Sequence, residues 1–145
     1  MTSFAVIVSR FNLTVTEGLL RGAQLQLQEN GIAAKDIEVF YAPGAFEIPI
    51  LAQALAKTKK YSGIICLGCV IKGDTAHFEF ISLGATIGLM QSMLTHQVPF
   101  AFGILTTYTE EQAVLRSRPN AENKGREAAA ACLETVQLLQ KISES

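Results

Sequence analysis

Four short apolar runs rich in β-branched residues mark this chain, and a stretch of helical periodicity follows each. No other feature constrains the fold as much. Phe4–Ser9 reads FAVIVS, apolar with no polar alternation, the pattern of a strand covered on both faces. A helix is predicted from Thr16 to Asn30, with Leu19, Leu20, Ala23 and Leu27 on one stripe and Gly31 as its stop. Ile37–Tyr41 is the second strand, and a second helix fits Glu47 to Lys60, with Pro49 tolerated in its first turn. The run GIICLGCVI (63–71) is the third strand. A third helix follows over Phe78 to His96; it is apolar on most faces and therefore expected to be buried. Phe100–Leu105 is the fourth strand. Thr109 with Gln112 has the spacing that can cap a short helix, EEQAVL. A last helix is predicted from Asn120 to Ile142, with Leu133, Val136 and Leu139 inward. Such alternation implies an α/β fold, a four-stranded parallel sheet with helices on both faces. The length, 145 residues, suits one domain.

In open parallel sheets, ligands bind beyond the carboxyl ends of the strands. That rule selects Arg10-Phe11-Asn12, Pro43 to Glu47, Lys72 to His77, and Thr106-Thr107-Tyr108. Several chemistries drop out. No Gly-x-Gly-x-x-Gly follows the first strand, so a dinucleotide fingerprint is absent. Gly68 to Thr75 nearly matches a phosphate-binding P-loop, but Asp74 stands at the lysine position and would repel a nucleotide's phosphates. No Gly-x-Ser-x-Gly elbow occurs. His77 and His96 do not form a metal cluster with carboxylates at ligand spacing. Cys66 and Cys69 form a C-x-x-C, but an offset of three along a strand points the sulfurs to opposite faces. They are expected to be small buried residues rather than a redox pair. Net charge is −1 without blocks of like charge, which excludes a nucleic-acid groove or an anionic membrane surface as the expected partner. No apolar run approaches the roughly 20 residues of a membrane span, and the N-terminus lacks the features of a signal peptide, so a cytoplasmic location is expected. A charged fraction of 17% is low for a small monomer and points to subunit contacts.

The candidates that remain are few. His77 stands past a strand end, where an imidazole can transfer protons. Phe11 interrupts a polar turn, and a flat ring there can stack on a planar ligand. Glu47 reads either as a ligand acceptor or as a favourable charge at a helix N-terminus. Backbone N–H groups around Gly73-Asp74-Thr75 can hold a phosphate. Arg116, Arg118, Lys124 and Arg126 form a basic cluster late in the chain, which is otherwise explained as a solvated face. His96 fits a structural role at a helix C-terminus.

Taken together, SRFN, PGAFEIP, GCVIKGDTAHFEF, FGILTTYTEEQA and NKGREAA resemble the lumazine synthase family of riboflavin biosynthesis, over nearly the whole chain. The resemblance implies a flavodoxin-like fold. It also implies condensation of 5-amino-6-(D-ribitylamino)uracil with 3,4-dihydroxy-2-butanone 4-phosphate to 6,7-dimethyl-8-ribityllumazine, phosphate and water. No metal or organic cofactor is implied. Carried over residue by residue, Phe11 would stack on the pyrimidine, and Ala45, Phe46 and Glu47 would bind the ribityl chain. Cys69, Val70 and Ile71 would line the pyrimidine edge through their backbone. Asp74 and Thr75 would present backbone donors to the phosphate-bearing substrate, and His77 would transfer protons. Phe102, Arg116 and Lys124 would come from the adjacent subunit of a homopentamer, or of an assembly of pentamers up to a hollow shell. Riboflavin synthase is a further expected partner. Family members begin with a segment that lays a strand on a neighbouring subunit, whereas the first strand here opens at Phe4. Lys72 stands where many members have arginine. RSRPNAEN replaces a more usual Arg-Ala-Gly-Thr-Lys run, so Arg118 competes with Arg116 for the phosphate role. A non-catalytic flavin carrier is the rival reading, but it would need neither His77 nor the Arg116 cluster.

Overall fold

Residues 2–145 are described by the computed structural model. The four strands are β1 (Phe4–Ser9), β2 (Ile37–Ala42), β3 (Gly63–Ile71) and β4 (Phe100–Thr107). They form one parallel sheet in the order β2-β1-β3-β4. Five helices surround it: α1 (Leu13–Glu29), α2 (Ile48–Lys57), α3 (His77–His96), α4 (Glu110–Arg116) and α5 (Lys124–Ser143). This is the parallel α/β arrangement that the alternation predicts, and it is flavodoxin-like, as the resemblance implies.

The pleat divides the core in two. Phe4, Val6 and Val8 of β1 and Ile65, Leu67 and Cys69 of β3 pack with α1 and α5, through Leu19, Ala23, Leu27, Ala129 and Val136. Ala5, Ile7, Ile64 and Cys66 face the other way, against Ile48 and Ala52 of α2 and Ala85 and Leu89 of α3. Because both faces are covered, every residue of β1 is buried, which is why its sequence shows no polar alternation. The Cys66 and Cys69 sulfurs do lie on opposite faces.

Most boundaries agree with the sequence within a turn, and the differences have local causes. α1 starts at Leu13 rather than Thr16, since the Asn12 carbonyl accepts the Val15 and Thr16 N–H groups at 3.0 and 3.1 Å. It ends as foreseen: Gly31 takes φ 91°, and the Ile32 N–H reaches back to the Leu27 carbonyl at 3.0 Å. Glu47 belongs to a 3-10 turn over Ala45–Glu47, and α2 follows from Ile48. It stops at Lys57, ahead of Lys59, whose φ is positive. α5 begins at Lys124, not Asn120, because the Asn123 side chain caps it. Leu139 is exposed, while Leu133 and Val136 are inward.

The largest correction concerns α3. It is not buried in one chain: only Ala85, Leu89 and Ser92 are, whereas Phe80 is 72% and Leu94 66% exposed. A helix that is apolar all round has one stripe covered by the sheet and α2; its other faces have no partner among the described residues. Among the described residues, no helix is long and apolar enough to cross a membrane.

Candidate active site

A cleft of about 470 Å³ opens at the carboxyl ends of β1, β2 and β3, where the strand order reverses about β1. It is lined by Phe11, Gly44, Ala45, Phe46, Glu47, Cys69, Val70, Ile71, Gly73, Thr75, His77, Phe78 and Ile81. Three of the four segments selected from the sequence therefore meet.

The loop after β1 builds one wall. Asn12 adopts a left-handed conformation (φ 60°, ψ 50°), which asparagine tolerates better than most residues. The Ser9 hydroxyl accepts the Phe11 N–H at 3.2 Å, and the Thr16 hydroxyl donates to the Ser9 carbonyl at 2.7 Å. The turn so fixed leaves Phe11 68% exposed at the cleft. The Asn12 side-chain amide crosses to donate to the Cys69 carbonyl at 2.9 Å, tying this loop to β3.

β3 forms the floor. Its register with β1 ends at Leu67, yet its register with β4 runs on to Ile71. Residues 68–71 thus keep one backbone edge with no neighbouring strand, at a place where Cys69, Val70 and Ile71 line the cleft. On that edge the Asn12 amide already takes the Cys69 carbonyl, and the backbone groups left over can meet a heterocycle. The Cys69 thiol is not a nucleophile. Burial, with the Glu110 carboxylate adding to it, pushes its pKa up to about 11. Burial also raises Cys66, and takes Cys132 to about 12.

The turn after β2 supplies the third wall. Ala45 is buried, Phe46 exposed, and the Glu47 carboxylate hangs over Gly44, where a Cβ would stand 3.2 Å from its Oε1. His77 opens α3, exposed to solvent, its N–H 3.4 Å from the Thr75 hydroxyl. Thr75 and Gly73 line the cleft, with Asp74 exposed between them but not in the wall.

The remaining predicted residues stand elsewhere. Phe102, Arg116 and Lys124 line a second groove of about 330 Å³ along the outer edge of β4, against α5. The two clefts share no lining residue. Arg116, at the end of α4, donates to its own helix's Gln112 carbonyl at 2.9 Å. Lys124 pairs with Glu127 at 2.8 Å. Arg118 lies on the adjoining surface with Arg116 and Lys124, outside the groove that holds Phe102. Arg126 leaves the predicted basic cluster: its guanidinium binds Glu29 at 2.9 Å and also Gln26. His96 closes the last turn of α3, as its sequence context implies.

The profile of the 6,7-dimethyl-8-ribityllumazine synthase family matches residues 1–140. The chain belongs to that family. Its members are transferases of riboflavin biosynthesis. The 6,7-dimethyl-8-ribityllumazine synthase 1 of Caulobacter vibrioides is 59% identical over 141 residues, covering 97% of this chain and 92% of the relative. Synthases of the same name from Salinibacter ruber and Deinococcus deserti are 48% and 44% identical, over 96% and 98% of this chain and 89% and 91% of theirs.

Sequence reasoning missed four contributors. Phe78 and Ile81 add an apolar wall to the cleft; their spacing of three on a helix, with Ile81 four after His77, was the available signal. The Ser9 hydroxyl acts through a local bond to the Phe11 N–H two residues on, a turn that serine signals; the Asn12 amide acts through a tertiary bond to Cys69, which no local pattern announces.

Proposed function

We propose that the chain condenses 5-amino-6-(D-ribitylamino)uracil with 3,4-dihydroxy-2-butanone 4-phosphate, giving 6,7-dimethyl-8-ribityllumazine, phosphate and water. In this reading the pyrimidine lies on the exposed Phe11 ring and bonds those backbone groups of residues 69–71 that neither β1 nor the Asn12 amide takes. The ribityl hydroxyls meet the turn 45–47 and donate to the Glu47 carboxylate. The amine attacks the ketone carbonyl to form a Schiff base with loss of one water, phosphate is eliminated to leave an enol that becomes a second carbonyl, and the ribityl-bearing nitrogen closes the ring on it with loss of a second water. Each step moves protons and none needs an enzyme nucleophile. His77 is the imidazole at the cleft that can carry them. Much of the acceleration comes from holding two substrates together.

One observation carries the rest. The pyrimidine-type surface and the cationic surface of Phe102, Arg116 and Lys124 occupy separate clefts with no common residue. That separation supports a site assembled from two neighbouring subunits, with the second subunit's Arg116 pairing with the phosphate. Arg116 is favoured over Arg118 because it faces the same groove as Phe102 and Lys124. The apolar outer face of α3 supports a closed ring of subunits, read here as a pentamer or an assembly of pentamers. Riboflavin synthase, as the enzyme that takes the product, and a cytoplasmic location complete the reading.

The test is an absorbance assay with both substrates, in which lumazine formation is expected; flavin binding without turnover would favour the carrier reading. The shared site is tested by co-expression. His77→Ala and Arg116→Ala oligomers are each impaired, and random mixing in a closed ring leaves about a quarter of the sites intact. Verified mixed rings without recovery over the parents would place the whole site in one chain.

A further inference from the structure

Asn123 is 1% exposed, yet both ends of its amide are in use. The Oδ1 accepts the Gly125 and Arg126 N–H groups at 2.8 and 3.1 Å, capping α5. The Nδ2 donates to the Gly18 carbonyl of α1 at 3.1 Å and to the Arg118 carbonyl at 2.9 Å. Serine or aspartate would cap the helix as well. Neither brings two donors, so capping alone does not account for asparagine. The junction is also sterically prepared. A Cβ on Gly22 would run into the Asn123 amide, and one on Gly125 into the Leu19 carbonyl. Helix α1 thus meets the segment at contact distance, and the Arg126–Glu29 ion pair, 2.9 Å, sits at its far end.

The segment so held, residues 117–123, is the whole connection between α4 and α5. Arg116 ends the first helix and Lys124 opens the second, and both line the groove at β4. We infer that Asn123 is a positioning residue for the phosphate-bearing substrate: its amide clamps the α4–α5 connection to α1 and so sets where Arg116 and Lys124 stand. It touches no substrate and acts only through those two side chains. The inference rests on the functional reading above, which gives Arg116 and Lys124 their ligand.

Two substitutions separate clamp from cap. Asn123→Ser keeps a cap oxygen and removes the reach to both carbonyls. Asn123→Asp keeps shape and cap but sets a carboxylate against the carbonyls of Gly18 and Arg118. For a variant that folds, the KM for the butanone phosphate rises about tenfold, as expected when a binding group is displaced by a fraction of an ångström to an ångström. The KM for the pyrimidine substrate stays within about twofold, because that surface belongs to another cleft. Affinity for inorganic phosphate falls in parallel. A lower thermal midpoint with both KM values unchanged would overturn the inference and leave Asn123 a purely structural residue. Arg116→Ala runs alongside. If it does not weaken phosphate binding, the functional reading of the groove fails; if it does while Asn123→Ser does not, only the clamp fails. Should neither variant fold, the unmodified protein decides. Coupling between sites is reciprocal, so saturating inorganic phosphate must slow hydrogen exchange at the Gly125 and Arg126 amides. Unchanged protection there rejects the clamp.

Discussion

Phe11 and His77 illustrate how exposure separates binding from folding at single residues. Phe11 is held by its backbone, not by packing of its ring, so removing the ring leaves the core intact. Phe11→Ala is expected to weaken the pyrimidine substrate by about 1 kcal/mol or more through lost stacking, with the thermal midpoint nearly unchanged. A variant that unfolds instead would return the ring to the core. His77→Ala should slow turnover by roughly 10²-fold or less, since proton transfer is one aid among several, while pyrimidine binding holds. Unchanged turnover removes His77 from the mechanism. The three cysteines make the opposite case. All are buried, and burial raises each thiol above its ordinary range. A thiol reagent at mildly alkaline pH is expected to label none of them until the protein unfolds; prompt labelling of Cys69 would show a more open β3.

At the scale of elements, α4 and the α2–β3 connection offer the clearest tests. The capping box of Thr109 and Gln112 starts a helix of only seven residues whose last member is Arg116. Thr109→Ala is expected to cost about 1 kcal/mol of stability, measured by denaturant unfolding, and to loosen phosphate binding with it. Tyr61 is buried beside β2 and donates its hydroxyl proton to Glu38. Burial first, and the Glu38 carboxylate second, raise its pKa from 10.0 to about 12. Between those values the unfolded chain has lost the proton and the folded chain keeps it. Folding stability therefore falls as pH rises through that window. Below pH 10 the contribution is complete. In Tyr61→Phe the alkaline slope should be shallower; an identical slope would assign alkaline lability to other groups.

For the whole molecule, the decisive feature is α3, which presents Phe80, Leu83, Ile87, Met90 and Leu94 to solvent on a single chain. A contiguous apolar face of this kind marks a protein contact. Leu94→Glu and Ile87→Glu, both away from the cleft, are expected to leave the sheet folded and lower the mass seen by sedimentation. Turnover should fall with the mass if sites are shared between subunits. An unchanged mass would move the contact elsewhere.

The alternation of β-branched runs with helical stripes sufficed for the sheet and its parallel sense, because local pattern and connection handedness allow few other solutions. The same logic placed Phe11, Glu47, Thr75 and His77 at one sheet edge, since each follows a strand. It also read α3 as buried, and that failed on one chain: hydrophobicity tells that a face must be covered, not whether the cover comes from the same chain. The boundary at Leu13 was missed because Asn12 starts α1 through its backbone carbonyl, with no side-chain cap to read; that at Lys124 was missed because Asn120, a residue of the same capping type, stands three places before Asn123, which caps α5 through local bonds to Gly125 and Arg126. Only the folded chain decided that β3 outruns β1 to leave residues 68–71 without a strand on one side, and that Phe102, Arg116 and Lys124 stand in a different groove from His77. Both are matters of register and distance between segments far apart in the chain, which residue type alone does not encode.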